Sequence, residues 1–149
     1  MIQRFEQFTT AVSALCRDVQ KIERDEMEKQ GLRGVFAQYL LAISQYPEGI
    51  TASALCEVCD KDKAAVSRVI AEMDAKGLLE RENDGASQYR ARIRLTTAGQ
   101  EAAAFVRKRV SVAVELAGVG LSEEDRKAFY TALDLISSNL QQICKKGIP

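Results

Sequence analysis

The chain has no histidine and no tryptophan, only two prolines, and no apolar run long enough to span a bilayer. Each absence excludes something. Without histidine the commonest general base is missing, and zinc would have to be held by cysteines and carboxylates alone. No glycine-rich phosphate cradle stands between a strand and a helix, and the carboxylates fall on helical surfaces rather than in paired, glycine-bounded sites. The expectation is therefore a protein that is not an enzyme and carries no cofactor and no metal. The N-terminus lacks a basic-then-apolar leader pattern, which leads to the expectation of a cytoplasmic protein with no membrane partner. Net charge is missing too: 21 Lys plus Arg balance 21 Asp plus Glu, so a polyanion would have to be met by local placement of charge. With so little proline and no repeat of 20–50 residues, the 149 residues read as one domain of mostly long helices.

What is present centres on Gly49 to Gly99. Thr51 is an N-cap for a short helix over Ala52–Cys59, and Asp62 is an N-cap for a second. In that second helix Val66, Val69, Ile70 and Met73 recur at i, i+3, i+4 and i+7, a stripe that must face a core, and Gly77 ends it. The opposite face carries Ala64, Arg68, Ala71 and Ala75, with Ser67 at its margin. It is small and nearly flat, with one long cation. Such a face lets a backbone lie close to a groove floor while Ser67 and Arg68 reach base edges or phosphates.

Two strands follow, Leu78 to Glu82 and Gln88 to Leu95, joined by the tip Asn83-Asp84-Gly85-Ala86-Ser87. In the return strand Tyr89, Ala91, Ile93 and Leu95 alternate with Arg90, Arg92 and Arg94. Period two gives one apolar face and one arginine face. No acid lies between Gly85 and Gly99, so this face is expected to form a local phosphate-binding surface, although charged edge strands also serve simply to block aggregation.

LCEVCDKDKAAVSRVIAEMDAKGLLER, from Leu55 to Arg81, resembles the reading helix and first wing strand of the MarR family of regulators, and RLTTAG resembles the Leu-Thr-x-x-Gly that leads from wing to next helix. The resemblance implies a mainly α fold with a small β-hairpin wing: a winged helix-turn-helix over residues 32–96, with 1–30 and 97–146 as a long-helix dimerisation layer. It implies a DNA-binding transcriptional regulator, of repressor type, that meets a palindromic operator in double-stranded DNA as a homodimer and is released by a small aromatic or phenolic ligand. On that plan the expected DNA-binding residues, read from the turn, the small face of the second helix and the strands, are Lys61, Lys63, Ala64, Ser67, Arg68, Arg81, Arg90, Arg92 and Arg94. Two departures matter. Many members carry Asp-x-Arg near the wing tip, where this chain has Ser87 and Tyr89, with Asp84 and Arg90 as the nearest substitutes. Lys61 stands where an apolar turn residue is usual.

The flanking helices fit that plan. Met1 to about Gln30 keeps Ile2, Phe5, Phe8, Val12, Leu15, Cys16, Val19 and Ile22 on one side, more apolar surface than a small wing domain could cover. Arg33 to Tyr46 reads as a second helix burying Val35, Phe36, Tyr39, Leu40 and Ile43, broken by Pro47-Glu48-Gly49. Thr96 or Thr97 caps a helix towards Leu116, and Ser122 to Asp125 resembles a capping box for a last helix with Phe129, Leu133, Ile136, Leu140 and Ile143 on one stripe. Phe5, Phe8, Leu133, Leu140 and Ile143 are the expected dimer contacts.

Of the four cysteines, Cys56 and Cys59 suggest zinc or redox chemistry by spacing, but no further ligands stand near them, and buried cysteine packs as a small hydrophobe. Cys16 and Cys144 keep another possibility open, because the MarR family includes hydroperoxide sensors with a reactive cysteine in the first helix, and Arg17 adjoins Cys16. A cysteine-based redox regulator of the same fold, and a winged protein-interaction module without DNA binding, are the alternatives.

Overall fold

A computed structural model describes residues 1–82 and 90–148. The expected tip, Asn83 to Ser87, lies outside the described residues, together with Gln88 and Tyr89. The elements in chain order are α1 (Ile2–Glu28), α2 (Phe36–Ile43), α3 (Ala52–Cys59), α4 (Lys63–Ala75), β1 (Leu79–Glu82), β2 (Arg92–Leu95), α5 (Thr97–Ala117) and α6 (Glu123–Lys146). The chain divides into two compact units, Met1–Ser111 and the segment from Val112 onward.

In the first unit, α2, α3, α4 and the hairpin close on one core. Phe36, Tyr39, Leu40 and Ile43 come from α2, Leu55 and Cys59 from α3, and Val66, Val69, Ile70 and Met73 from α4. Leu79, Ile93 and Leu95 of the hairpin and Ala102, Ala103 and Val106 of α5 complete it. The apolar stripe legible on α4 is thus the stripe that is buried. The α2 helix is shorter than its sequence suggests, because its ends tighten into three-residue turns: Phe36 N–H donates to Arg33 C=O at 3.0 Å and Tyr46 N–H to Ile43 C=O at 2.9 Å.

Three side-chain caps form where the sequence placed them. Thr51 Oγ1 accepts from Ala54 N–H at 3.2 Å, Asp62 Oδ1 from Ala65 N–H at 2.8 Å, and Ser122 Oγ from Asp125 N–H at 3.0 Å. Of the two candidates for α5, Thr96 is the cap, accepting from Gly99 N–H at 3.2 Å. Gly99 is held to glycine by packing: a Cβ there would stand 2.2 Å from the Leu78 carbonyl oxygen.

Only the end of α1 enters this core, through Met27, while Glu26 beside it accepts from Arg109 of α5 at 3.0 Å and from Lys29. Those cations hold the Glu26 carboxyl below its usual range. The rest of α1 exposes Phe5 (65%) and Phe8 (38%). In the second unit α6 buries no residue at all, and Leu133 (37%), Leu140 (46%) and Ile143 (40%) are exposed. No helix among the described residues is long and apolar enough to cross a membrane.

Candidate nucleic-acid interface

The turn between α3 and α4 sets the interface. α3 ends on Asp60 in the left-handed region at φ 51°, a conformation that Asp tolerates better than most side chains. Lys61 N–H then returns to Cys56 C=O at 3.0 Å, and Asp62 starts α4. Lys61, Lys63, Ala64, Ser67 and Arg68 are all exposed on the turn and first half of α4, as are Ala71 and Ala75 further along. Because Val66, Val69, Ile70 and Met73 are drawn into the core, this small-residue face is left pointing out. The acids of the C-terminal half are engaged: Glu72 pairs with Arg33, and Asp74 lies 3.8 Å from Arg81.

The hairpin is antiparallel, with Leu79 opposite Leu95, Glu80 opposite Arg94, Arg81 opposite Ile93 and Glu82 opposite Arg92. Ile50 joins its edge, exchanging two backbone hydrogen bonds with Ile93 at 3.0 and 2.8 Å. The alternation expected of the return strand is present: Ala91, Ile93 and Leu95 are buried, Arg90 and Arg92 exposed, and Arg94 half-buried. However, β2 begins only at Arg92, leaving Arg90 in a turn.

The register corrects one expectation. The arginine face is not purely cationic, because Glu80 and Glu82 of β1 project on the same side as Arg94 and Arg92. Arg94 is in fact ion-paired with Glu82, and Arg92 donates to the Glu48 carbonyl at 3.4 Å. Counting acids along β2 alone missed them, since a hairpin brings its partners from before the tip. Arg81 also differs from its expected setting. It stands opposite Ile93 on the core-facing side, its side chain 28% exposed, with Nε buried and lacking a hydrogen-bond acceptor among the described residues. Arg94 Nε is likewise buried and unmatched. Its stem lies over Gly49, where a Cβ would meet Arg92 Cβ at 2.8 Å and Arg94 Cγ at 3.3 Å.

The thiols sort by burial. Cys59 is 3% exposed, and burial pushes its thiol up to about 11, so it packs and does not ionise near neutrality. Cys16 and Cys144 are exposed and free. No cluster of His, Cys, Asp and Glu among the described residues could hold a metal ion.

A helix pair joined by a tight turn, its second helix exposing a flat face, followed by a two-stranded hairpin, defines a winged helix-turn-helix protein. Residues 30–87 match the model of the MarR family. Among solved structures, MarR superposes with a TM-score of 0.79 at 21% identity, covering 93% of each chain. A MarR transcriptional regulator from Methanosarcina mazei gives 0.78 at 22% identity, covering 93% of this chain and 92% of its own. A protein from Listeria monocytogenes solved in complex with 26mer DNA gives 0.73 at 20% identity, covering 95% of each. No curated protein matches by sequence. In its matched segment and in its fold, the chain is similar to the winged-helix transcription regulators of the MarR family.

Proposed function

We propose that the protein is a homodimeric repressor that binds palindromic operator DNA, with α4 in the major groove and the wing stem beside the phosphate backbone. The observation that carries this reading is the α4 face. Ala64, Ser67, Arg68, Ala71 and Ala75 stay exposed on a helix whose other side is locked into the core. An unpartnered surface helix is ordinarily crowded with Glu and Lys, whereas a thin face bearing a serine and one arginine fits a groove. The similar Listeria protein was solved with DNA, which supports the same use here. The exposed apolar residues Phe5 and Phe8 on α1, and Leu133, Leu140 and Ile143 on α6, support dimerisation of residues 1–30 and 97–146 around a winged part at 32–96. A symmetric dimer sets two α4 helices about 34 Å apart, one turn of duplex.

Release by a small aromatic or phenolic effector completes the proposal. A cavity of about 450 Å³ in the first unit, lined by Ile43, Tyr46, Pro47 and Leu95 and by the charged Glu80, Arg94 and Arg107, is of a size for such a molecule. Its test is calorimetry of candidate aromatic acids and phenols, in which failure of all to bind counts against ligand control.

The DNA reading is tested by selecting bound fragments from genomic DNA and comparing the parent with Arg68→Ala. The variant is expected to lose discrimination between selected and random duplex by roughly ten- to a hundredfold, the worth of one specific side-chain contact per half-site. Equal discrimination by parent and variant would remove Arg68 from the interface.

A further inference from the structure

We infer that Glu82 acts as an internal stand-in for DNA phosphate, holding Arg94 and so setting how much of the wing's charge is available to a duplex. The inference rests on the DNA-binding reading above and extends it to a residue that reading does not use. Three observations converge. Arg94 projects from the hairpin face that carries Arg92, and its guanidinium is already bonded to the Glu82 carboxylate. Across that face of the stem Glu80 and Glu82 stand opposite Arg94 and Arg92, two acids against two bases, so these four residues carry no net charge. Finally, Arg94 is held imperfectly, because its Nε–H is buried without an acceptor among the described residues while the outer nitrogen serves Glu82.

A carboxylate and a phosphate offer a guanidinium the same kind of oxygen pair, so they compete for it. The Arg94–Glu82 pair is about half-exposed on both sides, at 36% and 48%, which keeps it weak enough to exchange. A duplex approaching the stem must therefore draw Arg94 away from Glu82 and then tolerate the carboxylate left behind. That tax falls on every sequence alike, since phosphates carry no sequence information. Its consequence is a wing with little indiscriminate affinity, leaving selection to Ser67 and Arg68 on α4. Glu82 is thus a specificity-determining residue that need not touch a base.

The experiment measures binding of the full chain to a labelled random-sequence duplex of about three helical turns across a salt series. Glu82→Gln is expected to tighten binding about fivefold per wing, the scale of one exposed ion pair, and to steepen the log-log salt slope by about one per wing. Glu101→Gln, which removes an exposed acid on α5, controls for net charge and should change affinity much less. In an Arg94→Ala background, Glu82→Gln should bring no more gain than Glu101→Gln does. A gain from Glu82→Gln that persists in full without Arg94, or that merely equals the Glu101→Gln effect in the parent, overturns the inference while leaving the DNA-binding reading intact. Failure of the parent itself to bind any duplex overturns both.

Discussion

The hydroxyl of Thr96 donates to the carbonyl of Gly77 at 2.6 Å, tying the residue that caps α5 to the glycine that stops α4. One side chain thus closes the loop around the wing: the same oxygen accepts from Gly99 N–H, and Thr96 N–H donates to Leu78 C=O at 3.1 Å. Orientation of α4 against the base of the wing depends on this knot. Thr96→Val keeps shape but removes the hydroxyl. It is expected to cost about 1–2 kcal/mol, the sum of a lost cap and a lost hydrogen bond, in urea unfolding monitored by circular dichroism. No change would mean water replaces the hydroxyl without penalty.

Gly99→Ala strikes the same place differently. The added methyl would have to displace the Leu78 backbone, since its nearest neighbour at 2.2 Å is a carbonyl oxygen rather than a flexible side chain. The expected loss is about 1–3 kcal/mol, read as a lower unfolding midpoint. Gly77→Ala, by contrast, meets no atom but is strained by its φ of 72°, so its cost should be about 1 kcal/mol.

Much of this was legible beforehand, and the reasons are local. Thr51, Asp62 and Ser122 are caps because each is a short polar residue just ahead of a helical apolar pattern, and the α4 stripe follows from spacing alone. What was hidden was pairing. Glu82 and Arg94 are 12 residues apart, and only the register of the hairpin reveals that they share a face. Arg81 lies two residues after the buried Leu79, so period two along β1 already puts it on the core-facing side, where Ile93 stands opposite. The α2 helix looked longer because tight turns at its ends preserve helical spacing of the buried residues.

The thiols give a prediction with a pH sign. Cys59 in the fold is pushed from 9.0 to about 11, and burial raises Tyr39 as well. Both favour the protonated form in the folded state, so the unfolded chain ionises first. Their contribution is fully present below about pH 9 and is lost as pH rises towards 11. Urea midpoints should fall across that window, and less steeply for Cys59→Ala. At neutral pH a thiol reagent should leave Cys59 untouched until urea is added. Rapid labelling of Cys59 in the native protein would contradict its placement.

The dimer proposal predicts that Leu140→Lys, at a position 46% exposed within the chain, leaves the helical spectrum intact yet shifts sedimentation to a single chain. A charge placed in an apolar contact is strongly unfavourable, whereas the same charge on a solvated face costs little. Unchanged sedimentation would remove α6 from the contact.

The most direct test of the central claim is a salt titration of the purified protein against a duplex selected from genomic DNA, with stoichiometry measured in the same cell. The account predicts two chains per site and affinity falling steeply with salt, about 0.9 in log-log slope for each phosphate neutralised. It further predicts a slope that flattens by about one per wing in Arg92→Ala, with all sequences weakened alike. A single chain that ignores genomic duplexes even in dilute buffer, or binding indifferent to salt and to Arg92, would contradict it.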